Sequence, residues 1–524
     1  MKKLVALLVA SLMSLTLTAC ELTEEASQSL GSNSDTPLSI VAATELEDLE
    51  PLVQQAAEEL GFPINLEFHK GTLQNSQDLR DGKFDGSVDA TWMATNRYVD
   101  LIGARGALAN ETKIATSPVA FGVQKAKVRE LGWDQKQPTW SEFAAAGREG
   151  KFTFGMTDPS ASNSGFSALV SVATAMADTG SALTDQDIEN VGPSLHELFQ
   201  AQSLVSGSSG WLADSFLEDP TEADAIINYE STLHQMRAEG ADIDVIVPAD
   251  GVISADYPLS TLANPVSDDG AEKVKALADW LLDHQQSIAD SYRRPVHDVE
   301  NIPAELQSQT VIELPFPSNY GTVQHLVQRY NNEFRTKGNT TFVLDISGSM
   351  EGERLDSLKQ IMTSLVDGTA ATTIGNVSLR DGETVTFQKF SAEPGESFTG
   401  TYSTTDPAVQ QQFLDYINSL VAFGGTNIYD TILDVTETAD PNAGITSIVL
   451  LTDGEVTAGR GMAQFKDDYA RVTADKGVVP VFVIQYGEAN VEEMKELADM
   501  TGGAVFDAIN GDLADAFKEI RGYQ

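Results

Sequence analysis

Apolar positions along the chain switch repeatedly between two periods. Residues 38–43 (Leu-Ser-Ile-Val-Ala-Ala) form a short β-like run. Leu49, Leu52, Val53, Ala56 and Leu60 then recur at the spacing of one helix face. Residues 64–68 alternate as a strand, 151–156 read as another, and 165–177 as a helix. Residues 245–247 and 255–262 predict strands that bring the chain back, followed by helices over 271–282 and 285–292. Strands alternating with helices predict an α/β architecture with parallel sheets. A second series begins at Thr341, with strands over 342–346, 384–387, 447–451, 479–484 and 504–506 and a closing helix over 513–520. Pro295, Pro303, Pro315 and Pro317 lie between the two series. They predict a joint over 301–337 rather than a core element, with a linking helix near 323–334.

Composition narrows the function. The chain has 524 residues, enough for about three domains. Its 78 Asp and Glu against 33 Lys and Arg give a formal net charge of −45. Nucleic acid is therefore excluded as a partner, because phosphate contacts need a basic surface. Docking on anionic lipid through a basic patch is excluded for the same reason. The single cysteine, Cys20, excludes an internal disulfide framework and a cysteine-ligated zinc site.

The first twenty residues read as an address. Lys2 and Lys3 precede an uncharged, mostly apolar run over 4–17, short for a spanning helix and right for a signal sequence. Leu17-Thr18-Ala19-Cys20 then resembles a bacterial lipobox, whose cysteine accepts a diacylglyceryl group. The expectation is a signal peptide over 1–19, lipidation at Cys20 and a flexible Ser- and Glu-rich tether over 20–37. No later run holds about 20 consecutive apolar residues. The protein is expected outside the cytoplasm, on a cell or outer membrane by acyl chains alone.

The sharpest chemical signal is near the C-terminus. A strand runs into Asp345-Ile346-Ser347-Gly348-Ser349 before a helix over 355–365. Gly424-Gly425-Thr426 opens a second helix, and another strand ends in Thr452-Asp453-Gly454. In a parallel sheet such strand ends collect ligands at a topological switch point. Carboxylates and hydroxyls are hard oxygen donors suited to Mg²⁺, Mn²⁺ or Ca²⁺. Taken singly, Asp345 and the two serines read equally well as helix caps. In this order the segments resemble a von Willebrand factor A domain over 338–524, with a doubly wound, Rossmann-like fold. The resemblance implies a metal-ion-dependent adhesion site of Asp345, Ser347, Ser349, Thr426 and Asp453. It also implies a protein partner whose acidic side chain completes the coordination of the ion, Mg²⁺ first. Asp345 itself is expected to be an exposed strand-end carboxylate.

Residues 38–300 carry a second resemblance. Ala90-Thr91-Trp92-Met93, residues 114–123, Thr157-Asp158-Pro159-Ser160-Ala161-Ser162-Asn163-Ser164-Gly165, Tyr257-Pro258-Leu259 and Arg293-Arg294-Pro295 resemble bacterial extracellular solute-binding proteins of type II. That family implies two α/β lobes and a cleft, with crossings here near 118–123 and 245–254. Ser160, Ser162, Asn163 and Ser164 are cleft candidates, because hydroxyls and free N–H groups at a helix start can cradle an anion. Plain helix capping is the competing reading. Thr91 and Trp92 are candidates for the opposite wall, against a core role. Tyr229, before Glu230, is a third candidate.

Enzyme signatures are weak in the sequence: it has no G-x-S-x-G elbow, Walker A loop, H-E-x-x-H or dinucleotide fingerprint. Thr184-Asp185-Gln186-Asp187 reads as a helix cap rather than a calcium loop. The sequence therefore predicts a binding protein and not an enzyme. It is expected to grip a protein through a divalent ion, and a solute or peptide through its cleft. The alternative is a receptor that delivers a solute to a transport system.

Overall fold

The computed structural model describes residues 36–520, apart from 69, 370, 373–374, 377, 441–442, 475, 486–489 and 508–519. Cys20, the signal sequence and most of the tether lie outside the described residues, as does most of the closing helix expected over 513–520.

The first lobe is a five-stranded sheet in the order Ile64–Glu67, Leu38–Ala42, Ala90–Trp92, Pro258–Leu262, Leu108–Lys113. Leu38–Ala42 pairs in parallel with both its neighbours, whereas Pro258–Leu262 returns antiparallel. The chain leaves this lobe at Ile114 and runs straight into the ten-residue strand Ala115–Gln124. That strand organises the second sheet by pairing with Ala225–Tyr229, Ile243–Ile246, Ser254–Ala255 and Arg294–Pro295. It returns between Ser254–Ala255 and Pro258–Leu262. The crossings thus flank 114–117 and 255–258, a few residues from where the sequence placed them. The helix Asn163–Ala177 is buried almost all round at its N-terminal end and forms the centre of the second lobe. Thr184 closes a capping box with Asp187, as its spacing predicted.

The proline-rich stretch is not a loose joint. Residues 309–314 run along the hinge: Gln309 accepts from the Val247 N–H (2.7 Å), and Val252 and Leu314 exchange backbone bonds with the facing segment. The helix Tyr320–Arg329 and the wide turn Tyr330–Phe334 place Val323, Leu326, Val327, Tyr330 and Phe334 in the same apolar core as both lobes. The expected linker therefore belongs structurally to the N-terminal region. Prolines break regular pairing, but they do not prevent burial of the apolar residues between them.

Residues from Gly338 onward form a six-stranded sheet in the order Pro394–Thr401, Thr384–Phe390, Gly338–Asp345, Ile445–Thr452, Val481–Gln485, Val505–Asp507. All neighbours are parallel except the antiparallel edge Pro394–Thr401. Helices cover both faces, so the central strands are continuous apolar runs. The edge strand was not legible in sequence, since Pro-Gly-Glu-Ser-Phe-Thr-Gly-Thr is mostly exposed and polar.

One buried charge joins the two halves. Asp158, fully buried at the end of the Phe154–Thr157 strand, accepts from Arg380 (2.9 Å) and lies 3.6 Å from Arg335, itself 1% exposed. Removing one partner of a buried ion pair leaves the other charge uncompensated, at a cost of roughly 3–5 kcal/mol. Asp158→Asn is expected to lower unfolding free energy by about that amount in urea titration, with earlier proteolytic cutting between residues 301 and 337.

Candidate functional site

Asp345 closes the central strand of the C-terminal sheet, and Asp453 follows its neighbour Ile445–Thr452. From this strand pair the chain order runs outward in opposite directions, so both carboxylates stand at the switch point where parallel sheets gather ligands. The side chains form one chain of contacts. Asp345 Oδ1 accepts from the Ser347 N–H (2.8 Å), Ser347 Oγ meets Ser349 Oγ (3.0 Å), and Ser349 Oγ donates to Asp453 Oδ1 (2.9 Å). Gly454 fits between Ser349 and Thr426: a Cβ there would come within 3.3 Å of the Ser349 Oγ and 3.6 Å of the Thr426 Oγ1. All five residues read from the sequence are thus brought together.

The loops are held by backbone bonds. Phe423 N–H donates to the Ile346 carbonyl (2.8 Å) and Gly348 N–H to the Gly424 carbonyl (3.0 Å). Gly424 has φ +77°, a left-handed conformation that a side chain would strain. Thr426 N–H donates to Thr457 Oγ1 (2.8 Å), which fixes the second loop.

The expectation of an exposed Asp345 is corrected. Asp345 is fully buried, and burial raises its pKa to about 6 despite hydrogen bonds from Ser347 and Thr452. Three residues that matter here went unread. Thr452 donates to Asp345 Oδ2 (2.7 Å). The strand register foreshadows it, because Leu344 lies opposite Leu451. Thr457 orients Thr426. Arg354 reaches Asp453 Oδ2 (2.5 Å) from the first turn of the helix Glu353–Asp367.

These residues suit a hard divalent cation. Two carboxylates and three hydroxyls supply oxygen donors, and although the Arg354 guanidinium offsets one carboxylate, the cluster keeps a net negative charge that favours a cation. Among the described residues no three His, Cys, Asp or Glu side chains converge as a metal cluster.

The second candidate region lies between the lobes. Ser160 gives both its N–H (2.7 Å) and its hydroxyl (2.5 Å) to Asp158 Oδ1, and the Ser162 N–H donates to the Asp158 carbonyl (2.9 Å). These donors, expected to be free for an anion, are used inside the loop. Ser164 Oγ lies near Thr157 (2.9 Å) and Ser162 (3.2 Å). Asn163 does not cap the helix; its Nδ2 donates to the Tyr229 hydroxyl (2.9 Å). Tyr229 in turn meets Glu45 of the first lobe, which also accepts from Thr72 (3.1 Å); burial holds Glu45 above the ordinary carboxylate range.

Thr91 and Trp92 do not form an opposite wall. Both are fully buried in the first-lobe sheet, and the Trp92 indole donates to the Tyr257 carbonyl (3.2 Å). The residues that face Tyr229 are instead Glu45 and Tyr257, whose ring sits 6.4 Å away at a φ of +41°. Arg293 pairs twice with Asp48 (2.6 and 2.7 Å), and Arg294 pairs twice with Glu230 (2.7 and 2.8 Å).

Residues 339–519 match the von Willebrand factor type A domain. A mouse (Mus musculus) protein, inter alpha-trypsin inhibitor heavy chain 4, is 24% identical over 174 residues, covering 32% of this chain and 17% of that protein. The chain thus spans about a sixth of that relative's length. Among solved structures, the periplasmic binding protein AfuA from Actinobacillus pleuropneumoniae (13% identity, TM-score 0.46) covers 57% of this chain and 98% of its own. A periplasmic thiamin binding protein (16%, TM-score 0.46) covers 57% and 96%. A von Willebrand factor type A protein from Catenulispora acidiphila (17%, TM-score 0.27) covers 36% and 42%. Residues 339–519 are thus similar to a von Willebrand factor type A domain, and the residues before them form the two lobes described above.

Asp345→Asn keeps the size of the side chain and removes half the carboxylate charge. It is expected to weaken Mg²⁺ or Mn²⁺ binding by at least ~10–100-fold in calorimetry, with unchanged circular dichroism. Arg354→Ala removes a competing cation and is expected to tighten the same binding.

Proposed function

We propose that this protein is an extracytoplasmic, lipid-anchored binding protein that grips a protein partner through a divalent ion in its A domain. The observation that carries the reading is the convergence of Asp345, Ser347, Ser349, Thr426 and Asp453 at one switch point, beside exposed loop residues. Phe423 is 59% and Val421 65% exposed on the loop leading to Thr426, and Ser349 is also exposed. Mg²⁺ fits best, since a hydrated octahedral ion with few direct carboxylates keeps a position for a partner's Asp or Glu. The role is binding rather than catalysis.

The transport-receptor reading has one observation in its favour, the two-lobed architecture itself. Against it stand the internally satisfied Ser160 loop and the pairing of the lobes through Glu45 and Tyr229. The N-terminal region therefore serves in this reading as a carrier for the A domain, with solute or peptide binding as a secondary role.

Capture of partner from envelope extract is expected to disappear with EDTA, return with Mg²⁺, and fail for Asp345→Asn. Capture indifferent to chelator and to that substitution would overturn the metal-dependent reading. Cys20→Ser is expected to move the protein from the membrane to the soluble fraction, because acyl chains are its proposed anchor. Retention after a high-salt wash would sink the anchor.

A further inference from the structure

The two lobes are bridged by a segment that belongs to neither. Glu313 accepts from Arg97 of the first lobe (2.8 Å) and from the Ser254 N–H at the hinge (3.2 Å). Phe316 lies under the Arg97 guanidinium (5.9 Å) and against Phe166 of the second lobe (6.0 Å, edge to face). Tyr320 packs on Tyr98 of the first lobe (6.4 Å), and Tyr98 meets Phe166 directly across the lobe boundary (5.8 Å). The segment is fixed to the second lobe and hinge at both ends. Gln309 is bonded to Val247, Leu314 to Val252, and the helix beginning at Tyr320 packs on the second-lobe helix Asp185–Phe199. Beyond that helix, Arg335 meets Asp158 and the chain enters the central strand that ends in Asp345.

We propose that residues 309–320 are a latch: anchored on the second lobe, they hold the first lobe closed through Arg97 and Tyr98. The second lobe, latch and A domain then form one body, and the first lobe is the part that swings. Hinge opening must separate Arg97 from Glu313 and Phe316, and Tyr98 from Tyr320 and Phe166. Access to the interlobe surface is thereby tied to the segment that leads into the metal domain. The inference concerns the hinge and is independent of whether a solute is bound there.

The test uses the full chain in a Cys20→Ser background, with spin labels on cysteines introduced at exposed Glu58 in the first lobe and Asn190 in the second. The parent protein is expected to give one narrow interlobe distance. Combined Glu313→Ala, Phe316→Ala and Tyr320→Ala should add a longer, broader population. Amide exchange over residues 43–48 and 226–231 should quicken by tenfold or more. Mg²⁺ binding at the A domain serves as the control for intact folding. If the variant keeps the parent's distance and exchange rates, or the parent already shows the longer population, the latch is overturned. A variant that fails to fold is replaced by Arg97→Gln, which removes two latch contacts from the first-lobe side and must show the same longer population.

Discussion

The structure depends on a carboxylate that has no access to water. An ionised Asp158 in the interior is tolerable only with full pairing, and its two oxygens divide the task. Oδ1 takes the N–H and hydroxyl of Ser160 and so shapes the turn that opens the Asn163–Ala177 helix. Oδ2 takes Arg380 and Arg335. Arg335 precedes the first strand of the A domain by three residues, and Arg380 precedes its neighbour Thr384–Phe390 by four. A single buried group thus fixes a second-lobe loop, the end of the linking segment and the A-domain sheet together. Trp211 against Phe482 (6.2 Å) adds an apolar contact to the same junction.

The candidate metal site obeys the same rule in a different way. Asp345 is also fully buried, but its partners are a backbone N–H and the Thr452 hydroxyl rather than a cation. Neutral donors offset only part of the burial, so the group sits above the ordinary carboxylate range. Asp453 pairs instead with a cation, Arg354. A divalent ion placed between them would satisfy both carboxylates at once. In the proposed role, such an ion would relieve a charge that the fold buries.

Legibility in the sequence followed burial. The central strands of the A domain are covered on both faces, so they read as unbroken apolar runs, and the acidic residues ending them stood out. Pro394–Thr401 escaped because its partner supplies the pairing and solvent covers much of it. Ser160, Ser162 and Ser164 were correctly placed at a helix opening, but their bonding depends on Asp158, whose own partners lie about 180 and 220 residues away. The Arg293–Asp48 pair spans 245 residues, and no local pattern announces it. Thr91 and Trp92 were misread because a loop wall and a buried strand end share the same small-plus-aromatic cadence. The linking segment was misread because four prolines signal interruption, while Phe316, Tyr320 and Tyr330 signal burial.

Net charge would decide how such a molecule binds the acidic partner proposed for it. At −45 the chain repels acidic ligands wherever they approach within a screening length of about 8 Å at physiological salt. Away from the ion, a partner carboxylate meets mostly like charge. At a bound divalent ion it would meet a site whose own two carboxylates are compensated by the +2 charge and by Arg354. The same acidity that discourages contact elsewhere raises the local concentration of divalent cations. In the proposed role, charge would make adhesion conditional on metal and confine it to one end of one sheet. The exposed Phe423 and Val421 can then add apolar contact without making the surface generally sticky.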